Sequence, residues 1–295
     1  MDDRAGLIER AAALLHDSKL QGPTPLVPEA PIAASAPAPP LSRSVILDRP
    51  HLAETGIIMP WTTSARVVEE FRIVKRQIMF PWQSAEALGA ADQPPKVIIV
   101  TSSRPREGKT FCSINLALAF AAEENLSTVL IDADAVRGDT AKLLKVPSEP
   151  GLTDILAGER RLDDVLVQTD IPNLVVLPPG AYGPHVPELL AGRGPSLLIA
   201  DIGRRYPDHV IVMDTPPCLA STDPAALAPI AGQVVFVIEA GHTQQAEIES
   251  SLNLLSGCRQ VRFLLNKAPV GSSEHFGAYS YYFQPGTTAA KAEED

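Results

Sequence analysis

Six short apolar runs between residues 96 and 268 constrain this chain more than any other feature. They are "KVIIVT", "STVLIDAD", "NLVVLP", "HVIVMDTPP", "QVVFVIEA" and "VRFLLNKA". Runs this apolar have no polar side to turn to water, so they belong to strands covered on both faces. Between them lie segments with helical spacing: "KTFCSINLALAFAAEE", "GPSLLIADIGRRY", "DPAALAPIA" and "QAEIESSLNLLSG". This alternation predicts a doubly wound α/β domain, a parallel sheet sandwiched by helices.

The flanks read differently. Residues 1–20 predict an amphipathic helix, with Leu7, Ile8, Ala11, Leu14 and Leu15 on one stripe. Residues 21–60 read as a Pro/Ala-rich linker, since seven of the twenty residues from 21 to 40 are proline. The α/β domain is expected over 61–270, entered by the helical pattern "SARVVEEFRIVKRQIMF", and residues 271–295 lose all periodicity, as a tail does. A net charge of -10 argues against nucleic acid as the main partner, which needs clustered Lys and Arg. Three scattered cysteines fit neither a disulfide framework nor a metal site, so a reducing cytoplasm is expected. No signal-peptide pattern opens the chain and no apolar run is long enough for a direct membrane span.

One stretch carries chemistry. "TSSRPREGKT" follows the strand "KVIIV" and opens a helix with Gly108, Lys109 and Thr110. This is how a phosphate-binding loop ends: backbone N–H groups and the helix N-terminus face an anion, and Lys109 reaches the outer phosphates. The Thr110 hydroxyl is a natural ligand for the Mg²⁺ of a bound nucleotide such as ATP. Ser103 and Arg106 stand where such loops usually carry glycine, and Arg106 occupies a place that often needs a positive φ. Two acidic strand ends, "VLIDADAVR" and "VIVMDTPP", put Asp132, Asp134 and Asp214 at the carboxyl edge of the sheet, where open α/β folds bind ligands. Asp214 is expected to anchor Mg²⁺ through water.

These three motifs together resemble the Walker-type motifs of the bacterial tyrosine kinases, in particular the exosortase-associated exopolysaccharide autokinases. The opening "LIERAAALL", the proline-rich linker, "EEFRIVKRQI" and "LNKA" resemble that group as well. The resemblance implies a mostly parallel sheet of the deviant Walker (P-loop) ATPase type and an autokinase using ATP and Mg²⁺. It implies catalytic roles for Lys109, Asp132, Asp134 and Asp214, with Asp132 as candidate base, and Mg²⁺ held by Thr110, Asp132 and Asp214. Nucleotide contacts would come from Ser103, Arg106, Glu107, Gly108, Lys109, Thr110, Phe111 and Asn266. The family's usual arginine after the second aspartate is Val136 here, with Arg137 one place later.

The resemblance also assigns Glu69, Arg72 and Lys75 to a homo-oligomer contact, although such spacing alone describes an ordinary solvated helix face. Tyr279, Tyr281 and Tyr282, three of only five tyrosines, would be phosphorylated on a neighbouring copy. A membrane-embedded polysaccharide co-polymerase would be the activator, holding a cytoplasmic protein peripherally at the inner membrane. Two other readings share the motifs. A partition or septum-site ATPase switch carries a signature lysine where Arg104 stands, and glycines where Pro105 and Arg106 stand. A kinase-like module would hold nucleotide without turning it over.

Overall fold

The computed structural model describes residues 41–59, 61–62, 66–88, 95–206, 208–258 and 260–269. The expected N-terminal helix, the linker's proline-dense half and the tyrosine cluster lie outside the described residues. In chain order the elements are β1 (Arg43–Val45), α1 (Arg49–Glu54), α2 (Arg66–Ala87), β2 (Val97–Ser102) and α3 (Lys109–Ala121). Next come β3 (Ser127–Asp132), α4 (Asp139–Leu144), α5 (Leu152–Leu156), α6 (Leu162–Val165), β4 (Val167–Thr169) and β5 (Leu174–Leu177). Last are α7 (Val186–Ala191), α8 (Gly194–Arg205), β6 (His209–Asp214), α9 (Asp223–Leu227), β7 (Gln233–Glu239), α10 (Gln245–Leu254) and β8 (Val261–Asn266).

The strands form one sheet in the order β1-β4-β5-β3-β6-β2-β7-β8. Every neighbouring pair is parallel except β4 with β5. All six residues of β2 are buried, as a strand covered by helices on both faces requires. Its side chains alternate between two cores. Ile98 and Val100 join Phe120, Ile78 and Trp82 on the side of α2 and α3. Val97 and Ile99 join Leu198, Ile202 and Leu227 on the other.

All six expected strands are present. Residues 41–59 correct the linker expectation, because they carry β1 and α1. Arg43 donates to the carbonyls of Pro150 at 2.8 Å and Val165 at 2.9 Å, fastening β1 to the sheet. Asp48 caps α1 by accepting from the His51 N–H, and Leu47, Leu52 and Ile57 are buried in the core. A three-residue strand and a six-residue helix are too short to show a period, so the prolines around them dominate the sequence signal.

The helix expected before the first strand runs on through Pro81 to Ala87. It is fastened by aromatic pairs, Phe71 edge-on to Phe111 and Trp82 against Phe120, and by buried Gln233, which donates to the Ile78 carbonyl at 2.8 Å. Glu69 and Arg72 form an ion pair on its surface. Lys75, expected on the same solvated face, is instead buried and paired with Glu123 just beyond α3. The reason is geometric: position 75 lies one turn after Phe71 on the stripe that faces α3.

Candidate active site

The phosphate loop leaves β2 between two neighbours, β6 and β7, and its backbone is pinned from both sides. On the β6 side, the Cys218 N–H donates to the Ser102 carbonyl at 2.8 Å and the Leu219 N–H to the Ser103 carbonyl at 3.2 Å. On the β7–β8 side, Asn266 Nδ2 donates to the Glu107 carbonyl at 2.9 Å and Lys267 Nζ to the Arg106 carbonyl at 2.7 Å. Glu107 is buried inside the loop. One carboxylate oxygen accepts from the Arg104 N–H at 2.7 Å and the other from the Thr243 hydroxyl.

Gly108 ends the loop with φ of +97° and begins α3 with no side-chain cap, leaving the first N–H groups of that helix facing outward for an anion. A Cβ on Gly108 would lie 2.0 Å from Asn266 Nδ2, so only glycine fits. Arg106 holds φ of +72° without being glycine. The loop therefore keeps a left-handed step at the expected place, at the cost of backbone strain. Arg106→Gly is expected to stabilise the fold by about 1 kcal/mol, raising Tm by about 2–4 °C in a thermal melt. An unchanged or lower Tm would mean that the guanidinium stabilises the folded state by as much as the strain costs.

Lys109 points into the protein rather than out. Its Nζ lies 3.7 Å from Asp134 Oδ2, and both side chains are buried. Asp132 and Asp214 are direct partners across the parallel β3–β6 pair. Asp214 is wholly enclosed, accepting from Ser113 Oγ at 3.0 Å and Thr140 Oγ1 at 2.8 Å. Burial holds its carboxyl above the usual range, opposed by Lys109 and by hydroxyls that include Thr110. Asp132 accepts from the N–H groups of Asp134 at 3.2 Å and Ala141 at 3.0 Å. Burial, with the Asp214 charge beside it, pushes Asp132 up to about 8. Among the described residues no group of three His, Cys, Asp or Glu could hold a metal ion alone. The acceptors are already engaged by N–H and O–H donors, which suits a metal that arrives with a nucleotide and meets the carboxylates through water.

The structure thus gathers Arg106, Glu107, Gly108, Lys109, Thr110, Asp132, Asp134, Asp214 and Asn266 around one edge of the sheet. Two expected contacts serve the fold instead. The Ser103 hydroxyl accepts from Ser251 of α10 at 3.2 Å, and the Phe111 ring packs on Phe71. Asn266 acts through the loop backbone. Several residues that sequence reading missed complete the site: Ser113 and Thr140 on Asp214, Thr243 on Glu107, and Glu247 on Arg104. Asp223 is buried, and its carboxyl is raised mainly by that burial and further by the charge of Asp134. Ser113 was readable, one turn beyond Lys109 on α3, whereas Thr140 of α4, Asp223 of α9, Glu247 of α10 and Thr243 in the β7–α10 loop reach the site only through packing. Arg137 turns along the surface to Asp139 at 3.2 Å, leaving Val136 exposed.

No protein-family model matches the chain. It is 29% identical over 238 residues to the tyrosine-protein kinase ptk of Acinetobacter johnsonii, a match covering 80% of this chain but 31% of that protein. It is 32% identical over 190 residues to the tyrosine-protein kinase CpsD of Streptococcus agalactiae, covering 63% of this chain and 81% of that one. The chain therefore spans under a third of the first relative and most of the second. Among solved structures, the chimerical protein CapA2B2 superposes with a TM-score of 0.64 and 25% identity, covering 78% of this chain and 95% of that one.

Proposed function

Because this chain belongs to the bacterial tyrosine-protein kinase family, we propose that it is an ATP-dependent autokinase that phosphorylates Tyr279, Tyr281 and Tyr282 on a neighbouring copy. The observation that carries this reading is the buried Lys109, at the uncapped start of α3 and flanked by the strand-end carboxylates Asp134 and Asp214. A lysine is expensive to enclose unless an anion or carboxylate meets it. Here it is poised for both.

In the proposed reaction, the loop N–H groups and Lys109 bind and orient the phosphates of ATP. Thr110, with Asp132 and Asp214 through water, would hold Mg²⁺, which supplies charge neutralisation at the phosphates when bound. The phenol oxygen forms a bond to the γ-phosphorus as the bond from that phosphorus to the bridging oxygen breaks, and ADP departs. Asp132 would receive the phenol proton as the carboxylate that a neighbouring Mg²⁺ favours.

The sequence resemblance supports a place in exopolysaccharide or capsule production, with a membrane-embedded polysaccharide co-polymerase as activator. No described helix is long and apolar enough to cross a membrane, which fits attachment through such a partner. The surface pair Glu69–Arg72 is the proposed oligomer contact, while Lys75 would act only indirectly through Glu123.

Phosphotyrosine should form when the intact protein is incubated with Mg-ATP. Replacing Tyr279, Tyr281 and Tyr282 together by phenylalanine should remove that signal and leave nucleotide affinity in calorimetry unchanged. Phosphotyrosine that persists in the triple variant would place the acceptor elsewhere, and nucleotide hydrolysis with no phosphotyrosine would favour a switch ATPase.

A further inference from the structure

Four adjacent strands, β5, β3, β6 and β2, deliver consecutive loops to the edge that holds Lys109 and the carboxylates. The loops are packed on one another. A Cβ on Gly138, after β3, would touch Pro179 Cγ, after β5, at 3.4 Å. The Leu219 N–H, after β6, reaches the Ser103 carbonyl of the phosphate loop at 3.2 Å. Asp223 on α9 lies near enough to Asp134 for its own carboxyl to be raised by that charge as well as by burial.

Three of these loops each expose a large apolar or aromatic side chain at this edge: Tyr182 at 58%, Val136 at 64% and Leu219 at 44%. Single exposed hydrophobic side chains are ordinary. Three on neighbouring loops, around a centre otherwise made of Asp132, Asp134, Asp214 and Asp223, are a pattern. Its chemistry is an acidic, enclosed floor around Lys109 with these apolar side chains on its rim, beside Arg104 and Arg106 exposed on the phosphate loop. Arg137, the cation nearest in sequence, is turned away to Asp139.

We infer that Val136, Tyr182 and Leu219 form the docking rim for residues 276–283 of a second copy, and so determine which tyrosines are phosphorylated. This rests on the kinase reading above. The segment is "FGAYSYYF", five aromatic side chains in eight residues, and no charged residue occurs from 276 to 290. An acidic segment would be repelled by the enclosed carboxylates, and a basic one by the exposed Arg104 and Arg106 of the phosphate loop. A neutral aromatic segment loses least on entering the acidic centre and gains contact area on the rim. Charge also directs release. Each phosphate brings about -1.5 to -2 charges beside Asp132, Asp134, Asp214 and Asp223, whose repulsion favours release of the product.

The test separates donor from acceptor. The donor is the full chain with Tyr279, Tyr281 and Tyr282 replaced by phenylalanine, and the acceptor is the full chain carrying Lys109→Met. With Mg-ATP and limiting acceptor, Val136→Asp or Tyr182→Asp in the donor should slow acceptor phosphorylation about tenfold, the loss of one well-buried apolar contact. The rate at saturating acceptor, the ADP affinity and the Tm of the donor should stay unchanged. Phe276→Glu with Phe283→Glu in the acceptor should cause the same loss with the unaltered donor. Equal rates from all donors would overturn the inference, as would a loss accompanied by weaker ADP binding, which would place these residues in the nucleotide site. Indifference to the acceptor substitutions would assign the rim to another occupant. Absence of phosphotyrosine with every donor, the unaltered one included, would overturn the kinase reading itself.

Discussion

Asp214→Asn is expected to make the nucleotide-free protein more stable while weakening Mg²⁺-dependent nucleotide binding by about 10- to 100-fold. The two effects have one cause. Asp214 is wholly buried, and burial is the main reason its carboxyl is held above its ordinary value. A group whose folded pKa is raised in this way contributes most below its unfolded pKa, near 4, and loses that contribution as pH rises toward the folded value. Without ligand, Asp214 therefore lowers stability at neutral pH. Asparagine has the same shape and no charge. Thr140 Oγ1, now a donor to Oδ2, can rotate to accept from the new amide, so no buried polar atom is orphaned. The expected gain is about 1–2 kcal/mol at pH 8 and less at pH 5. Thermal melts at both pH values check the sign. Calorimetry with ADP, with and without Mg²⁺, checks the binding. A variant less stable than the parent at pH 8 would show that the Lys109–Asp214 attraction outweighs the cost of burial.

Lys109→Met should also impair the chemistry but, unlike Asp214→Asn, should lower the stability of the fold. Phosphotyrosine formation is expected to fall by about 100- to 1000-fold, the usual cost of removing one preorganised charge donor from a transfer site. Stability should fall too, because Asp134 loses its ion-pair partner and Asp214 a nearby opposing charge. The loss has a pH signature. Without the ammonium group, the Asp214 carboxyl is raised further, so the fold is penalised increasingly as pH rises from 5 to 8. At pH 5, protonation relieves most of the penalty. The difference in Tm between variant and parent should therefore widen with pH. A constant difference would mean that Lys109 stabilises the fold by packing its methylene stem, with its charge left to the nucleotide alone.

Different physical ranges explain which features were readable from sequence. Five of the six long strands were visible because a strand buried on both faces must be apolar at nearly every position, whereas β8, at the sheet edge, is as apolar in sequence yet leaves Phe263 and Leu265 exposed. Lys109, Asp132, Asp134 and Asp214 were visible because a phosphate loop and strand-end acids are local in sequence. The left-handed step at Arg106 was visible as a place where glycine was missing.

β1 and β4 were not visible. Each is three residues long, and each exists because a neighbouring strand and the Arg43 guanidinium supply hydrogen bonds from more than a hundred residues away. The burial of Lys75 was hidden for a related reason: a helix face that looks solvated in isolation is covered once α3 packs on it.

Sequence alone, then, settled the class of fold and the chemical identity of the phosphate site, since both follow from residue type and short spacing. Tertiary structure decided how that site is held. Thr243 reaches Glu107, Thr140 reaches Asp214 and Asn266 reaches the loop backbone only because β7, α4 and β8 end at the same edge. It also decided that Asp132 and Asp214 face one another across neighbouring strands and raise one carboxyl to about 8. A pKa shift of that size requires burial and charge proximity together, and neither exists in a chain until distant strands have been brought side by side.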